Sequence, residues 1–301
     1  MNIDIIDFNL LNKKNPSELL RLNYSLRKPG FSFLKNHELN EDHIMKSLKC
    51  WKDFIQLSET IRNTYVRPEA GYQVGYTPMR IETGVDAKNA DEKHFWHTRD
   101  ANSLLVSQIP NFKETQDDLF RDFDELYQKL MVFVAKTLRL PESHFNDCLS
   151  NSVLRTIHYP PQENPLKDDG EVNEGGNSAG LCAYKHTDIN LLTLLLARDK
   201  GLELLCEDVW KEVETYTEEN LIVVNCGDML EHLTGGFYTS GVHRVVCEKN
   251  KDRFSFPFFG HLKPEFPIVP TDLLNGKSEK YPYKTAGDFL NARLKDIAQK
   301  K

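Results

Sequence analysis

From Val153 onward the chain breaks into short apolar or alternating runs, at 153–159, 181–189, 191–197, 202–206, 221–225, 242–247 and 254–259. Clusters of Gly, Pro, Asn and Asp separate them. Runs this short, spaced this way, point to a β sandwich or barrel built from many small strands. Between two of them lies 162–179, rich in Asp, Glu, Asn and Gly, which is expected to be a long loop acting as a spacer or a lid.

The first half has a different texture. Asn15-Pro16 offers a cap followed by a first-turn proline, and Leu19, Leu20 and Leu22 begin an apolar helical face that stops at Pro29-Gly30. Phe31-Ser32-Phe33-Leu34 has strand-like content. Asn40 is placed to cap a second helix in which Ile44, Leu48, Trp51 and Ile55 recur at three- and four-residue steps. A third helix carries Leu119, Phe123, Leu126, Leu130, Phe133 and Leu138 as one stripe, read as a face packed on a sheet. A last helix begins near Thr285. The expected class is α+β with a mainly β core, folded as one domain over 1–301.

Bulk properties narrow the function. With 40% apolar and 28% charged residues the chain has an ordinary globular composition. A net charge of -7 and a pI near 5.8 disfavour nucleic-acid binding, which needs a basic face. No apolar run approaches the ~20 residues needed to cross a bilayer. Met1-Asn2-Ile3-Asp4 lacks the basic start and apolar core of a signal peptide. Cys50, Cys148, Cys182, Cys206, Cys226 and Cys247 are scattered with no Cys-x-x-Cys pair, so all six are expected as reduced thiols of a cytoplasmic protein. A small-molecule substrate is the expected partner, with neither nucleic acid nor membrane, and oligomeric state is left open.

Chemistry concentrates in the strand-rich half. His186-Thr187-Asp188 lies in an expected strand, where alternation puts the His and the Asp on one face. Chance alone supplies a His-x-acid triplet in a chain with ten His and 45 acidic residues. What raises it above chance is His243, in the strand-like Gly241-Val242-His243-Arg244-Val245-Val246. Alone, His243 would be read as a core histidine; with the triplet, it completes two imidazoles and a carboxylate. Such a set grips one side of an ion and leaves positions open, which suits non-haem Fe(II) oxygen chemistry.

Downstream, Arg253 and Ser255 share one strand face. An Arg fork binds a carboxylate through two parallel N–H bonds, and the hydroxyl adds a third contact. A surface Arg paired with an acidic neighbour would be the reading without the triad. Tyr159, before Pro160-Pro161, is either a core tyrosine or a phenol donor to the same small acid.

These residues resemble the iron- and 2-oxoglutarate-dependent oxygenases of the isopenicillin N synthase-like superfamily. The likeness extends through Tyr159-Pro160-Pro161, Leu192-Thr193-Leu194-Leu195, Asn225-Cys226-Gly227-Asp228 and His243-Arg244-Val245-Val246. In the first half it includes Ile5-Ile6-Asp7, Gly30-Phe31-Ser32-Phe33, Asn36-His37 and Asp91-Glu92-Lys93. The resemblance implies a double-stranded β-helix (jelly roll) with packed outer helices, an N-terminal family region over 1–110 and a binding core over 150–262. It implies Fe(II) on His186, Asp188 and His243, and 2-oxoglutarate on Arg253 and Ser255, with Tyr159 near its metal-bound end and O2 as the oxidant. One position departs: plant-type members often carry Asn two residues before the tyrosine, and here Ile157 stands there. Asn225 and Asp228 are expected to shape the turn after their strand.

By the same likeness, 71–83, 92–99, the 162–179 loop, Tyr184 and Phe258 surround the mouth. Arg80, His94, His97 and Arg99, lying among Tyr76, Phe95 and Trp96, suggest a small polar, carboxylate-bearing metabolite; ordinary surface charges are the plainer reading. Hydroxylation, desaturation and ring closure of a C–H-bearing substrate all remain open. Two alternatives stand beside this: an iron-dependent oxidase or ethylene-forming-type enzyme of the same fold, and a metal- or ligand-binding jelly roll without turnover.

Overall fold

The computed structural model describes residues 3–82, 90–162, 180–213, 220–270 and 280–298. Its first part runs β1 (Ile5–Asp7), α1 (Phe8–Asn12), α2 (Pro16–Arg27), β2 (Phe31–Lys35), α3 (Glu41–Ile55), α4 (Glu59–Asn63), β3 (Gly75–Thr77), β4 (His94–Arg99) and α5 (Phe112–Thr137). Strands then dominate: β5 (Val153–Tyr159), β6 (Gly180–His186), β7 (Leu192–Ala197), β8 (Leu202–Cys206), β9 (Val209–Glu212) and β10 (Ile222–Cys226). After α6 (Asp228–Leu233) come β11 (His243–Cys247), β12 (Arg253–Gly260) and α7 (Ala286–Ala298). The caps act as the sequence suggested. Asn15 accepts from the amides of Ser17 and Glu18, and Asn40 from that of Asp42, each satisfying helix-end donors. The proposed lid, 162–179, lies outside the described residues except for Gln162.

Two sheets face each other. One has the order β1-β2-β10-β7-β12-β5-β4-β3, the other β6-β11-β8-β9. This is the jelly roll, and strands from both halves of the chain build the larger sheet. Between the sheets, Phe95, Ile157 and Tyr159 of the large one meet Cys182, Ala183, Val245 and Cys247 of the small one. Further along, Phe31, Phe33 and Val223 meet Leu202 and Leu204.

The outer face of the large sheet carries the helices. On α5 the stripe foreseen in the sequence is buried, and Phe120, Phe123 and Tyr127 enclose the ring of Phe258. Burying such a ring contributes about 1.5–3 kcal/mol. A second outer cluster gathers Trp51 and Phe54 of α3 with Tyr76, Trp96, Phe112 and Phe254.

Two expectations need correction. The strand expected over 181–189 stops at His186, so Asp188 stands in the turn beyond it. Cys182 and Cys247 form a disulfide across β6 and β11, whereas Cys50, Cys148, Cys206 and Cys226 are free as expected. Their Cα atoms are 5.9 Å apart, within bridging range. At a sequence separation of 65, nothing in the local sequence signals the pairing. No described helix is long and apolar enough to cross a membrane.

Candidate metal centre

The two histidines meet because their strands pair. In the β6–β11 register His186 lies opposite His243, and their ring centroids are 4.2 Å apart. Each ring is turned by a backbone carbonyl: His186 Nδ1 lies 2.7 Å from Tyr184 O, and His243 Nδ1 lies 3.1 Å from Gly241 O. A carbonyl accepts only, so each Nδ1 carries the proton and each Nε2 keeps its lone pair for a metal.

Asp188 reaches the same point from the turn. The amide of Asp228 donates to the Asp188 carbonyl at 2.7 Å, and Thr187 Oγ1 donates to Asp228 Oδ2 at 3.1 Å, which clamps the turn to α6. On the side chain, Oδ2 accepts from Thr193 Oγ1 at 2.7 Å and Asn225 Nδ2 at 2.6 Å. Oδ1 faces His243 Nε2 at 3.8 Å. One ligand atom from each of the three residues lies within 4.8 Å of the others. Asn225 and Asp228, expected to shape the turn after their own strand, thus both serve Asp188: Asn225 orients its carboxylate and Asp228 holds its backbone.

The electrostatics agree with a cation site. Burial pushes the His186 imidazolium down, with His243 adding to the effect, to a pKa of about 4. Burial alone would raise the Asp188 carboxyl, but the two imidazoles and the hydrogen bonds from Thr193 and Asn225 hold it below its ordinary value. Two imidazole nitrogens beside a carboxylate form a donor set that fits a divalent iron with open positions.

On the facing wall, β12 and β5 place Arg253 opposite Tyr159 and Ser255 opposite Ile157. Arg253 is buried; its Nε donates to Lys200 O at 2.9 Å, its Nη1 to Ser255 Oγ at 3.4 Å, and its guanidinium lies 5.0 Å from the Tyr159 ring centre. Burial lowers its pKa, which expresses the cost of holding this cation out of water. A carboxylate of 2-oxoglutarate would offset that cost.

The substrate residues divide by strand face. On β4, Phe95 packs between the sheets, and His97 is held on the same face by Arg155 and the Tyr72 carbonyl. His94 and Trp96 point the other way. Trp96 is core, its Nε1 donating to Ser103 Oγ at 2.8 Å. Tyr76 and His94 belong to an outer hydrogen-bonded chain that runs from Arg62 through Tyr76, His94 and His158 to Asp252. Phe258 is outer core with no exposure. Arg80 is 71% exposed and paired with Glu92 at 2.8 Å. Arg99 donates to Asn151 Oδ1 at 2.8 Å. Tyr76, His94, Trp96, Phe258 and Arg80, expected around the mouth, thus lie in the outer clusters or at the surface and off the inner face. Tyr184 is buried two residues before His186.

Sequence reasoning missed a charged cluster on the inner side. Arg155 grips Glu82 through two bonds of 3.0 and 2.9 Å, donates to His97 Nε2 at 2.7 Å, and lies 4.0 Å from the Phe95 ring centre. Lys93 pairs with Asp91 at 2.8 Å and Glu82 at 3.1 Å, while Asp91 also accepts from the Tyr184 amide. Burial and the Arg155 charge push His97 down to about 3, so it is neutral. Period-two alternation could have put Phe95 and His97 on one face of β4, but no local spacing signals that Arg155, Glu82, Lys93 and Asp91 meet there.

Comparison with known proteins agrees with this geometry. A 2OG-Fe(II) oxygenase superfamily profile matches 150–262, and a profile for the N-terminal part of the non-haem dioxygenases in morphine synthesis matches 3–116. Flavonol synthase 3 of Arabidopsis thaliana is 25% identical over 98% of this chain and 97% of its own. A crystal structure assigned to the 2OG-Fe(II) oxygenase family, from Caulobacter crescentus, superposes with a TM-score of 0.83 at 29% identity, covering 98% of this chain and 99% of that one. A full-length Neurospora crassa protein crystallised in complex with alpha-KG shares the fold, with a TM-score of 0.80 at 21% identity over 98% of this chain and 96% of its own. Taken with the site, these matches mean that the chain belongs to the iron- and 2-oxoglutarate-dependent oxygenases of the isopenicillin N synthase-like superfamily, as a 2-oxoglutarate-dependent dioxygenase.

Proposed function

We propose that residues 1–301 form one oxygenase domain in which His186, Asp188 and His243 hold Fe(II), while Arg253, Ser255 and Tyr159 hold 2-oxoglutarate. In this reading the protein oxidises a C–H bond of a small polar metabolite. The observation that carries it is the convergence of three donor atoms, each oriented by its own hydrogen bond, with a buried Arg–Ser pair on the facing wall.

Iron and 2-oxoglutarate supply the oxidising power when bound, with O2 consumed and succinate and CO2 released. The chain's own residues position and exclude. Thr193 and Asn225 fix the Asp188 carboxylate so that Oδ1 is presented. Arg253 and Ser255 set the far end of the co-substrate, and so its reach toward the triad. Phe95, Ile157, Val245 and the Cys182–Cys247 bridge make the inner wall apolar, which keeps water from the reacting centre.

The substrate need not be an acid. Arg80, on which a carboxylate reading leaned, is at the surface, and the inner cations Lys93 and Arg155 are matched by Asp91 and Glu82. A buried carboxylate added to that balanced set would lack a counter-charge, which favours an uncharged polar group. The test is a screen of small acids against their matched amides for substrate-stimulated succinate release. Stimulation by amides supports the reading, stimulation by acids alone overturns its substrate half, and oxidation without succinate supports the oxidase alternative.

A further inference from the structure

Lys93 stands at the end of the connector into β4 and is 7% exposed. Its ammonium has three N–H donors, of which the bonds to Asp91 and Glu82 use two. His94, the first residue of β4, pairs with His158 in antiparallel register. Lys93, just before β4, thus comes next to the end of β5 that carries Tyr159, and Tyr159 stands opposite Arg253. The two cations flank a phenol on the inner face. Asp91, which holds the Lys93 ammonium, also accepts from the amide of Tyr184, two residues before His186, so Lys93 lies beside the strand that carries a metal ligand. In the next row of paired residues, the one between Phe95 and Ser255 is Ile157, which offers no polar atom.

We propose that the third N–H of Lys93 donates to the metal-bound end of 2-oxoglutarate, so that this end is held by a lysine one row away from the apolar Ile157. Asp91 and Glu82 fix the ammonium, and Asp91 ties it through the Tyr184 amide to the strand that carries His186. The inference rests on the assignment of the triad and Arg253 made above. The two ends of 2-oxoglutarate then meet different donors, an N–H of the charge-balanced Lys93 near the metal and the Arg253 guanidinium far from it.

Calorimetric titration of the full chain loaded with Mn(II) tests this, using 2-oxoglutarate and pyruvate as probes. Pyruvate keeps the metal-binding end and lacks the distal carboxylate. Lys93→Met is expected to weaken both ligands alike, by about 10- to 100-fold, as loss of a charge-assisted bond implies. Arg253→Met is expected to weaken 2-oxoglutarate alone. Lys93→Gln, which still donates to Asp91, guards against simple misfolding and should also weaken both probes; Mn(II) affinity near wild type verifies that each variant retains its site. Wild-type affinity for both probes in the Lys93 variants would overturn the proposal, as would a loss confined to 2-oxoglutarate. A wild-type protein that binds Mn(II) but neither probe would instead refute the co-substrate reading itself.

Discussion

The inner and outer faces of β4, β5 and β12 both bury polar side chains, but they do so to different ends. Outside, Tyr76, His94 and His158 form a hydrogen-bonded chain among Trp51, Phe54 and Phe254. Burial pushes His94 down, with His158 adding to it, to about 3, so the buried middle of this chain, between Arg62 and Asp252, is uncharged at His94 and has its polar atoms satisfied. Inside, Arg155, Lys93, Glu82 and Asp91 carry formal charge beside the triad. Burial would raise the Glu82 carboxyl, but Arg155 and Lys93 hold it below the usual carboxylate range. Buried charge is thus gathered on the inner side, while the outer side buries mainly uncharged polar groups.

That contrast can be broken by mutation. Phe258→Ala on the outer face should cost about 3–5 kcal/mol of stability, read by denaturant unfolding, and leave the 2-oxoglutarate affinity of the folded protein unchanged. Arg253→Met on the inner face should do the reverse. Its 2-oxoglutarate affinity should fall by a factor on the order of 10 to 100 with only a small change in unfolding midpoint. Asn225→Ala leaves Asp188 Oδ2 with Thr193 alone and should weaken metal binding by about 10-fold or more, measured by competition with a chromogenic chelator. If Phe258→Ala altered co-substrate affinity as much as Arg253→Met does, the division between faces would be wrong.

Acidity sharpens the same comparison. His94 and His97 have folded pKa values near 3, below the ordinary imidazole value of 6.5. The unfolded chain therefore binds more protons between those limits, and the stability these groups contribute is present above about pH 6.5 and lost as pH falls toward 3. The melting temperature of the metal-free protein should drop over that window, and His94→Gln should flatten the slope. The smallest effect is expected from Arg80→Ala, whose exposed pair with Glu92 should leave substrate-stimulated turnover within experimental error.

The sequence disclosed the parts of the site that are tied to local spacing. His186 and Asp188 stand two apart, as do Arg253 and Ser255, and the α5 stripe follows helical steps; each is legible from neighbours. Residue type misled at β4. His94, Trp96 and Tyr76 were attractive as chemistry-bearing side chains, yet alternation gives the inner face to Phe95 and His97. Glu82 and Arg155 stand 73 positions apart and meet only in the folded chain, which no local pattern encodes. The Cys182–Cys247 bridge was hidden for the same reason. The strand boundary at His186 was missed because no Gly or Pro follows it directly, and the clamp that redirects the chain comes from Asp228, 41 positions beyond Thr187.

The central claim is tested most directly by adding Fe(II) and then 2-oxoglutarate without oxygen and following the weak visible charge-transfer absorption of the iron chelate. The account predicts a band in the wild-type protein that saturates at one iron per chain and vanishes in His186→Ala. A wild-type protein with no band, or a band that survives unchanged in His186→Ala, would contradict it.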